Sequence, residues 1–265
     1  MEAATTVLIT GASRGIGSYI ARGLARPGRT LLLTARTHEA LYDTAKACNA
    51  RGADAVALGA DLGAPSDIDR VLSTILDYPV DLLINNAGVM EEEALPWDTD
   101  PQAWWNTLEV NLRAPYLLAH ALIPPMLSRG GGRIIDLSSG AAVQDSAMAS
   151  AYYVSKTALL RFAGSLHEAG YSQGLRVFSV APGVVRTDMT ANRAMNEGRT
   201  QWNDPREVVE IITAIADGEL DGISGTQVRA GTDSIAELRM RSKRGAGASE
   251  RKLRLTPWGN LVTLP

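Results

Sequence analysis

The sequence predicts an α/β protein: a doubly wound parallel sheet of about seven strands with helices on both faces. Two observations predict it. Short apolar runs recur along the chain and alternate with stretches of helical periodicity, the pattern of strands buried on both faces and joined through crossover helices. The first of these runs passes directly into the glycine-rich segment Gly11-Ala12-Ser13-Arg14-Gly15-Ile16-Gly17, placed where a strand turns into a helix.

Thr5 to Thr10 reads as the first strand. The helix after the glycine segment runs through Leu24 and is broken at Pro27-Gly28, a pair that neither continues a helix nor pairs well in a sheet. Thr30 to Ala35 is the second strand, and His38 to Arg51 is helical. Ala55 to Leu58 forms the third strand, followed by a helix over Asp67 to Leu76. Asp81 to Asn85 is the fourth strand and ends in Asn85-Asn86-Ala87-Gly88. Pro101 to Met126 is a long helical stretch in which Pro115 predicts a local irregularity, because proline lacks the N–H a helix needs. Arg133 to Leu137 is the fifth strand, Ser150 to Ala169 a long helix and Arg176 to Val180 the sixth strand. A helix over Pro205 to Ala216 and a strand over Thr226 to Ala230 close the pattern.

No linker composition or internal repeat interrupts residues 1–238, which read as one domain. Residues 239–265 read as a basic C-terminal extension. Its Arg- and Lys-rich part, Arg239 to Arg254, is expected to be a solvated or mobile run, with an oligomer contact or an anionic partner as the lesser readings.

Of the 265 residues, 45% are apolar and 21% charged, ordinary for a globular chain with a core large enough to need no disulfide or metal. The net charge of −3 argues against general affinity for nucleic acid. The single cysteine, Cys48, excludes an internal disulfide framework and is read as structural. No apolar run approaches the roughly 18 residues that span a bilayer, and the first residues lack a signal-peptide pattern. The expected location is the cytoplasm.

Two constellations carry chemistry. The glycine segment lies at a strand-to-helix turn, where free N–H groups and the helix dipole favour a phosphate; Gly11 would allow the tight turn, Gly15 close approach of the backbone, and Gly17 close packing. Tyr152 and Lys156 stand four residues apart on one helix face, thirteen and seventeen residues after Ser139. An ammonium beside a phenol stabilises the phenolate, so a phenol pKa lowered from about 10 is expected, and such a tyrosine serves as a proton donor or acceptor. Only Tyr152, not its neighbour Tyr153, has this spacing to Lys156.

The ordered set Thr10-Gly11-x-x-x-Gly15-x-Gly17, Asn85-Asn86-Ala87-Gly88, Ser139, Tyr152-x-x-x-Lys156 and Pro182-Gly183 resembles the compact, single-domain subgroup of the short-chain dehydrogenase/reductase family, over roughly residues 5 to 232. The resemblance implies a Rossmann fold and an oxidoreductase that interconverts a ketone or aldehyde with an alcohol by hydride transfer. It implies Tyr152 as general acid/base and Ser139 as the residue that polarises the carbonyl, with Ser138 the alternative. Lys156 would hold the nicotinamide ribose and support Tyr152, and Asn111 would position a water that connects Lys156 to solvent. The substrate is a small-molecule carbonyl compound or alcohol, and the assembly a homodimer or homotetramer built on the long helices. Two other readings stand beside this one: a catalytically silent dinucleotide-binding regulator, and an isomerase or dehydratase that uses the cofactor internally.

By the same resemblance, Gly11, Ser13, Arg14, Gly15, Ile16 and Gly17 cradle the dinucleotide phosphates. Asp61 and Leu62 flank the adenine, and Asn86, Ala87 and Gly88 border its ribose. Pro182, Gly183, Val185 and Thr187 hold the nicotinamide end, with Tyr152 and Lys156 also facing the cofactor. The second strand ends Leu33-Thr34-Ala35-Arg36 with no carboxylate. An acidic residue there selects NAD, whereas an arginine accommodates a 2′-phosphate, so Arg36 and Arg14 favour NADP(H) over NAD(H). Asp136 departs from the asparagine common at that position and is expected to alter packing or charge without a catalytic role. Met90 to Leu95, Ala141 to Met148 and Asp188 to Trp202 are the candidate substrate loops, the last of them a lid.

Overall fold

The computed structural model describes residues 1–247 and 250–254. Seven strands form one sheet: β1 (Thr6–Ile9), β2 (Thr30–Ala35), β3 (Asp54–Gly59), β4 (Leu82–Asn85), β5 (Gly132–Leu137), β6 (Leu175–Ala181) and β7 (Gln227–Arg229). Their order is β3-β2-β1-β4-β5-β6-β7, and every adjacent pair is parallel. The chain thus winds outward from β1 in one direction and returns to wind outward from β4 in the other. The crevice where the order reverses, beyond the carboxyl ends of β1 and β4, is where such sheets bind ligands.

Alternation along the strands divides the core into two layers, since successive side chains point to opposite faces. Val7, Ile9, Leu31, Leu33, Leu82, Ile84, Ile135 and Phe178 pack on one face with Ile20 and Leu24 of α1 (Gly15–Leu24) and Ile211, Ile212 and Ile215 of α7 (Pro205–Ala216). Cys48 of α2 (Tyr42–Asn49) is buried in the same layer. Leu8, Leu32, Leu83, Ile134 and Val177 face the other way, against α3 (Pro65–Ile75), α5 (Ala114–Ser128) and α6 (Ser150–Gly170). Both faces of the central strands are covered, which is why they read as unbroken apolar runs. Among the described residues no helix is long and apolar enough to cross a membrane.

The long helix expected over residues 101–126 is in fact two. Pro101–Leu108 (α4) passes into a π-helical turn, Glu109–Arg113, before α5 begins at Ala114. The turn lies directly before Pro115, whose missing N–H leaves no partner at i−4 for the Asn111 carbonyl. Farther on, α5 also accommodates Pro124 and Pro125.

The basic run is largely exposed, as expected of a solvated segment, but its described part is ordered against the domain. Residue 238 lies inside a helix, α8 (Ile235–Arg244), which buries Leu238 and is capped by the Ser234 hydroxyl accepting from the Glu237 N–H at 3.2 Å. Arg241, Lys243 and Arg244 occupy its last turn, where cations complement the helix dipole. Beyond it the Gln227 N–H of β7 donates to the Arg251 carbonyl at 2.9 Å, and Lys252 pairs with Glu168 at 3.3 Å. The first part of the run is therefore docked; residues 248, 249 and 255–265 lie outside the described residues.

Candidate active site

The crevice begins with the loop from β1 to α1. The N-terminus of α1 carries no side-chain cap and no acidic residue in its first turn, so its free N–H groups are open to an anion. Gly11 and Gly15 adopt φ of +66° and +54°, a region that side chains with a Cβ rarely enter. A Cβ on Gly17 would stand 2.2 Å from the Gly11 carbonyl oxygen, and one on Gly11 would stand 2.8 Å from the Ala87 Cα. The loop is fastened to the end of β4. Asn86 Nδ2 donates to the carbonyls of Thr10 and Gly11 at 2.8 and 3.0 Å, while Thr10 Oγ1 accepts from the N–H groups of Asn86 and Ala87 at 3.0 and 2.9 Å. The Asn86 side chain thus shapes the cradle from behind, and Thr10 is a second clasp that sequence reasoning treated only as part of the motif.

Around this cradle the remaining cofactor candidates take distinct positions. The Ser13 carbonyl accepts from the Thr44 hydroxyl at 3.4 Å, and Ile16 packs on the core. Arg14 Nε is 3.1 Å from Asp188 Oδ2, both side chains being exposed. Arg36 is exposed at the end of β2 and enters no ion pair among the described residues. Asp61 is exposed and accepts from the Gly63 N–H at 2.9 Å, whereas Leu62 is buried against Ile68 and Ala114. After β6, Gly183 turns at φ +70°, and a Cβ there would collide with Asn203 Oδ1 at 2.3 Å. Asn203 Oδ1 accepts from the Val184 N–H at 2.8 Å and its N–H returns to the Val184 carbonyl at 2.9 Å. Nothing near Asn203 in the sequence signals this role. Pro182 opens the turn and Val185 is buried; the Val185 carbonyl accepts from the Thr190 hydroxyl at 2.6 Å. Thr187 Cγ2 lies 3.4 Å from where a Gly15 Cβ would be. The segment after β6 therefore closes against the glycine loop.

The second constellation occupies the same sheet edge. Lys156 is buried on α6, donates to the Leu137 carbonyl at 2.8 Å, and lies 5.7 Å from the Tyr152 ring centroid. A Cβ on Gly88 would be 3.7 Å from Lys156 Nζ, so the ammonium borders the strand end that fastens the glycine loop. Ser138 and Ser139 separate clearly. Ser138 is buried and its hydroxyl accepts from Gln227 Nε2 at 3.2 Å. Ser139 Oγ accepts from the Ala141 N–H at 3.1 Å and is a polar neighbour of the Tyr152 phenol. Tyr153 packs edge-on against Tyr152, with centroids 6.2 Å apart.

Asn111 is buried in the π turn. Its side chain accepts from the Val89 N–H at 2.8 Å and donates to the Val89 carbonyl at 2.8 Å and to Ser155 Oγ at 3.1 Å. These bonds commit the side chain to holding the segment after β4.

The electrostatics correct one expectation. The Tyr152 pKa is raised above its ordinary value of 10, because burial outweighs the opposing Ser139 hydroxyl. Burial also lowers the Lys156 ammonium to about 8, with Asp136 pulling it back up. Asp136 itself is pushed up to about 6 by burial, opposed first by its bond from Asn85 Nδ2 at 2.8 Å and then by Lys156. Asn85, Asp136 and Ser179 stand in register on β4, β5 and β6, a polar row in an otherwise apolar sheet.

A profile of the short chain dehydrogenase family matches residues 5–198. The ketoacyl reductase HetN of Nostoc sp. is 35% identical over 192 residues, which cover 71% of this chain and 66% of that protein, just under two thirds of its length. The 3-oxoacyl-[acyl-carrier-protein] reductase FabG of Vibrio cholerae is 31% identical over 230 residues, covering 82% of this chain and 92% of that one. Among solved structures, a candidate NAD(P)-dependent gluconate 5-dehydrogenase from Beutenbergia cavernae, with NADP bound at low occupancy, superposes with a TM-score of 0.78 at 29% identity. That match covers 85% of this chain and 94% of the other. The oxidoreductase yciK of E. coli gives a TM-score of 0.76 at 29% identity, covering 86% and 95%. The chain belongs to the short-chain dehydrogenase/reductase family of oxidoreductases, which bind a nicotinamide dinucleotide.

Proposed function

We propose that this chain is an NADP(H)-dependent oxidoreductase that interconverts a ketone or aldehyde with the corresponding alcohol, with Tyr152 as the general acid and base. The observation that carries the reading is the approach of Lys156 to Gly88, which brings the Tyr152–Lys156 pair to the edge of the dinucleotide cradle. The cradle fits a dinucleotide: α1 starts uncapped, leaving its N–H groups open to an anion, and side chains at Gly11 or Gly17 would collide with the loop's own backbone and with the Asn86 and Ala87 segment, and so deform it. Gly11, Ser13, Gly15, Ile16 and Gly17 would hold the pyrophosphate, Asp61 and Leu62 the adenine, and Gly183, Val185 and Thr187 the carboxamide. When bound, the nicotinamide supplies or accepts the hydride.

The chain's own residues manage the proton. A buried phenol with a raised pKa is protonated at neutral pH and so is set to donate to a carbonyl oxygen as negative charge develops there. The Ser139 hydroxyl donates to the same oxygen and fixes its position. Lys156 supplies positive charge beside Tyr152 and reaches the ribose hydroxyls. Asn111 would position a water that links Lys156 to solvent and restores its proton.

Arg36, exposed after β2, and Arg14 on the glycine loop support the choice of NADP(H), because guanidinium groups bind phosphate with paired donors. The test is turnover of a panel of ketones, aldehydes and alcohols, with β-ketoacyl thioesters included because two relatives carry ketoacyl names. Both dinucleotides are used and the nicotinamide absorbance is followed in each direction. Turnover with a clear NADPH preference in kcat/KM is expected. A preference for NADH would overturn the cofactor assignment, and a silent panel the activity.

The same reading includes a homodimer or homotetramer. Trp105 and Tyr116 are 59% and 47% exposed on α4 and α5, and with Leu108, Leu112 and Phe162 they line an apolar groove suited to a second copy of this surface. Light scattering on wild type and Trp105→Glu checks it; a monomeric wild type would remove this part.

A further inference from the structure

One buried acid has no place in the chemistry just described. Glu91, on the segment after β4, is 6% exposed. Its Oε1 accepts from the Ala151 N–H at 2.6 Å and its Oε2 from the Tyr152 N–H at 3.1 Å. These are donors of the first turn of α6, which begins at Ser150. The residue before the helix offers no cap: Ala149 has no acceptor side chain and sits in the left-handed region at φ 56° and ψ 46°. Helix starts are ordinarily satisfied by a Ser, Thr, Asp or Asn at that position. Here the carboxylate comes from sixty residues away, and one of the two N–H groups it holds belongs to Tyr152 itself. A buried carboxylate needs such partners, and a helix N-terminus favours its charge.

The segment carrying Glu91 is held in turn by the stretch after Thr187. Arg193 Nη1 donates to the Glu91 carbonyl and Nη2 to the Met90 carbonyl, both at 2.7 Å. Glu93 completes the seam from the other side, Oε2 accepting from the Ala194 N–H at 2.7 Å and Oε1 from the Met195 N–H at 3.3 Å. The main chain of Glu91 is therefore pinned by one substrate loop while its carboxylate pins the start of α6. We propose that Glu91 is a positioning residue for Tyr152, and that Arg193 makes the position of Tyr152 depend on the docking of residues 188–202. The proposal rests on the reading of Tyr152 as the proton donor.

The test uses the full-length variants Glu91→Ala, Glu91→Gln, Arg193→Ala and the Glu91→Ala/Arg193→Ala double variant. The readouts are kcat and KM for an active carbonyl substrate, dinucleotide affinity, and amide hydrogen exchange at Ala151 and Tyr152. Glu91→Ala is expected to lower kcat about 10- to 100-fold, the scale of a misplaced reacting group, with dinucleotide affinity unchanged and faster exchange at both amides. Glu91→Gln, which keeps an acceptor oxygen, recovers most of kcat. Arg193→Ala speeds the same exchange and lowers kcat by a smaller factor, and the double variant is no slower than Glu91→Ala alone. Wild-type kcat in Glu91→Ala, or wild-type exchange at Ala151 and Tyr152, sinks the positioning role. An Arg193→Ala variant that changes KM alone and leaves the exchange untouched sinks the coupling. If Glu91→Ala does not fold, the kcat and exchange of Glu91→Gln and Arg193→Ala decide in its place. If the wild type reduces no carbonyl compound, the reading of Tyr152 fails separately, and exchange alone decides whether Glu91 and Arg193 hold the start of α6.

Discussion

Asn111 holds the main chain of Val89 on both sides, Oδ1 accepting from the Val89 N–H and Nδ2 donating to the Val89 carbonyl, each at 2.8 Å. The side chain has no freedom left for a ligand. Asn111→Asp keeps an acceptor but turns a second oxygen toward the Val89 carbonyl in a buried place. A loss of about 2–3 kcal/mol is expected, the scale of a buried polar group left unpaired, read from the denaturation midpoint. An Asn111→Asp protein as stable as wild type would contradict this account.

Tyr152→Phe removes one hydroxyl and leaves the ring that packs against Tyr153. We expect kcat to fall by about 10²- to 10⁴-fold, the usual share of a general acid. Dinucleotide affinity, measured by fluorescence titration, stays at the wild-type value. Retained turnover would remove Tyr152 from the mechanism.

The pH dependence should follow Lys156 rather than Tyr152. With the phenol raised by burial and the ammonium lowered to about 8, kcat/KM for reduction is expected to fall as pH rises through about 8. Asp136 opposes the lowering, so Asp136→Asn should move this limb to lower pH. The two groups also oppose each other in stability. Lys156 titrates lower in the folded chain than its ordinary 10.5, so its contribution is present above 10.5 and lost as pH falls through about 8. Asp136 titrates higher than its ordinary 3.8, so its contribution is present below 3.8 and lost as pH rises through about 6. Unfolding measured across pH in wild type and Asp136→Asn separates them.

Gly17→Ala places a methyl group 2.2 Å from the Gly11 carbonyl oxygen. Overpacking of this kind costs about 1–3 kcal/mol. If the loop moves to relieve it, dinucleotide affinity drops about 10- to 100-fold. Calorimetry with NADPH reads this directly, and wild-type affinity would show that the cradle tolerates the shift.

Arg36→Ala removes the exposed guanidinium at the end of β2. The preference for NADPH over NADH is expected to shrink about 10- to 100-fold, as for loss of a hydrogen bond to a charged group. An unchanged ratio would move the 2′-phosphate to Arg14, which must then exchange its Asp188 partner for the phosphate.

The strands were legible in the sequence because a doubly covered parallel sheet writes itself as apolar runs, and even its layering follows from alternation in Val7, Leu8 and Ile9. The glycine spacing located the cradle for the same reason: close approach excludes side chains. What escaped was long-range. Nothing local to Glu91 points to Ala151, and nothing near Asn203 points to Val184. A raised Tyr152 pKa is not legible in the sequence, because spacing reveals a neighbouring charge but not how much water both groups lose. The helix α8 did leave a trace that the density of basic residues obscured: Ser234-x-x-Glu237 is a helix-start pattern, and the cations of its last turn mark a helix end.

The π turn at Glu109–Arg113 has a consequence for anyone altering this chain. In a regular α-helix one surplus residue advances everything after it by about 100° around the axis, but a π turn takes up such a residue locally, and here the Ala114 N–H reaches back five residues to the Glu109 carbonyl. The turn therefore absorbs one residue between α4, which carries Trp105 on the outer surface, and α5, whose Leu118, Leu122 and Met126 face the sheet, and keeps the two helices in phase. Deleting one residue between 109 and 113 would convert the turn to regular helix and leave those three side chains in the layer of Leu83 and Ile134. Inserting one would swing them away from it, so this stretch has room to lose a residue but not to gain one.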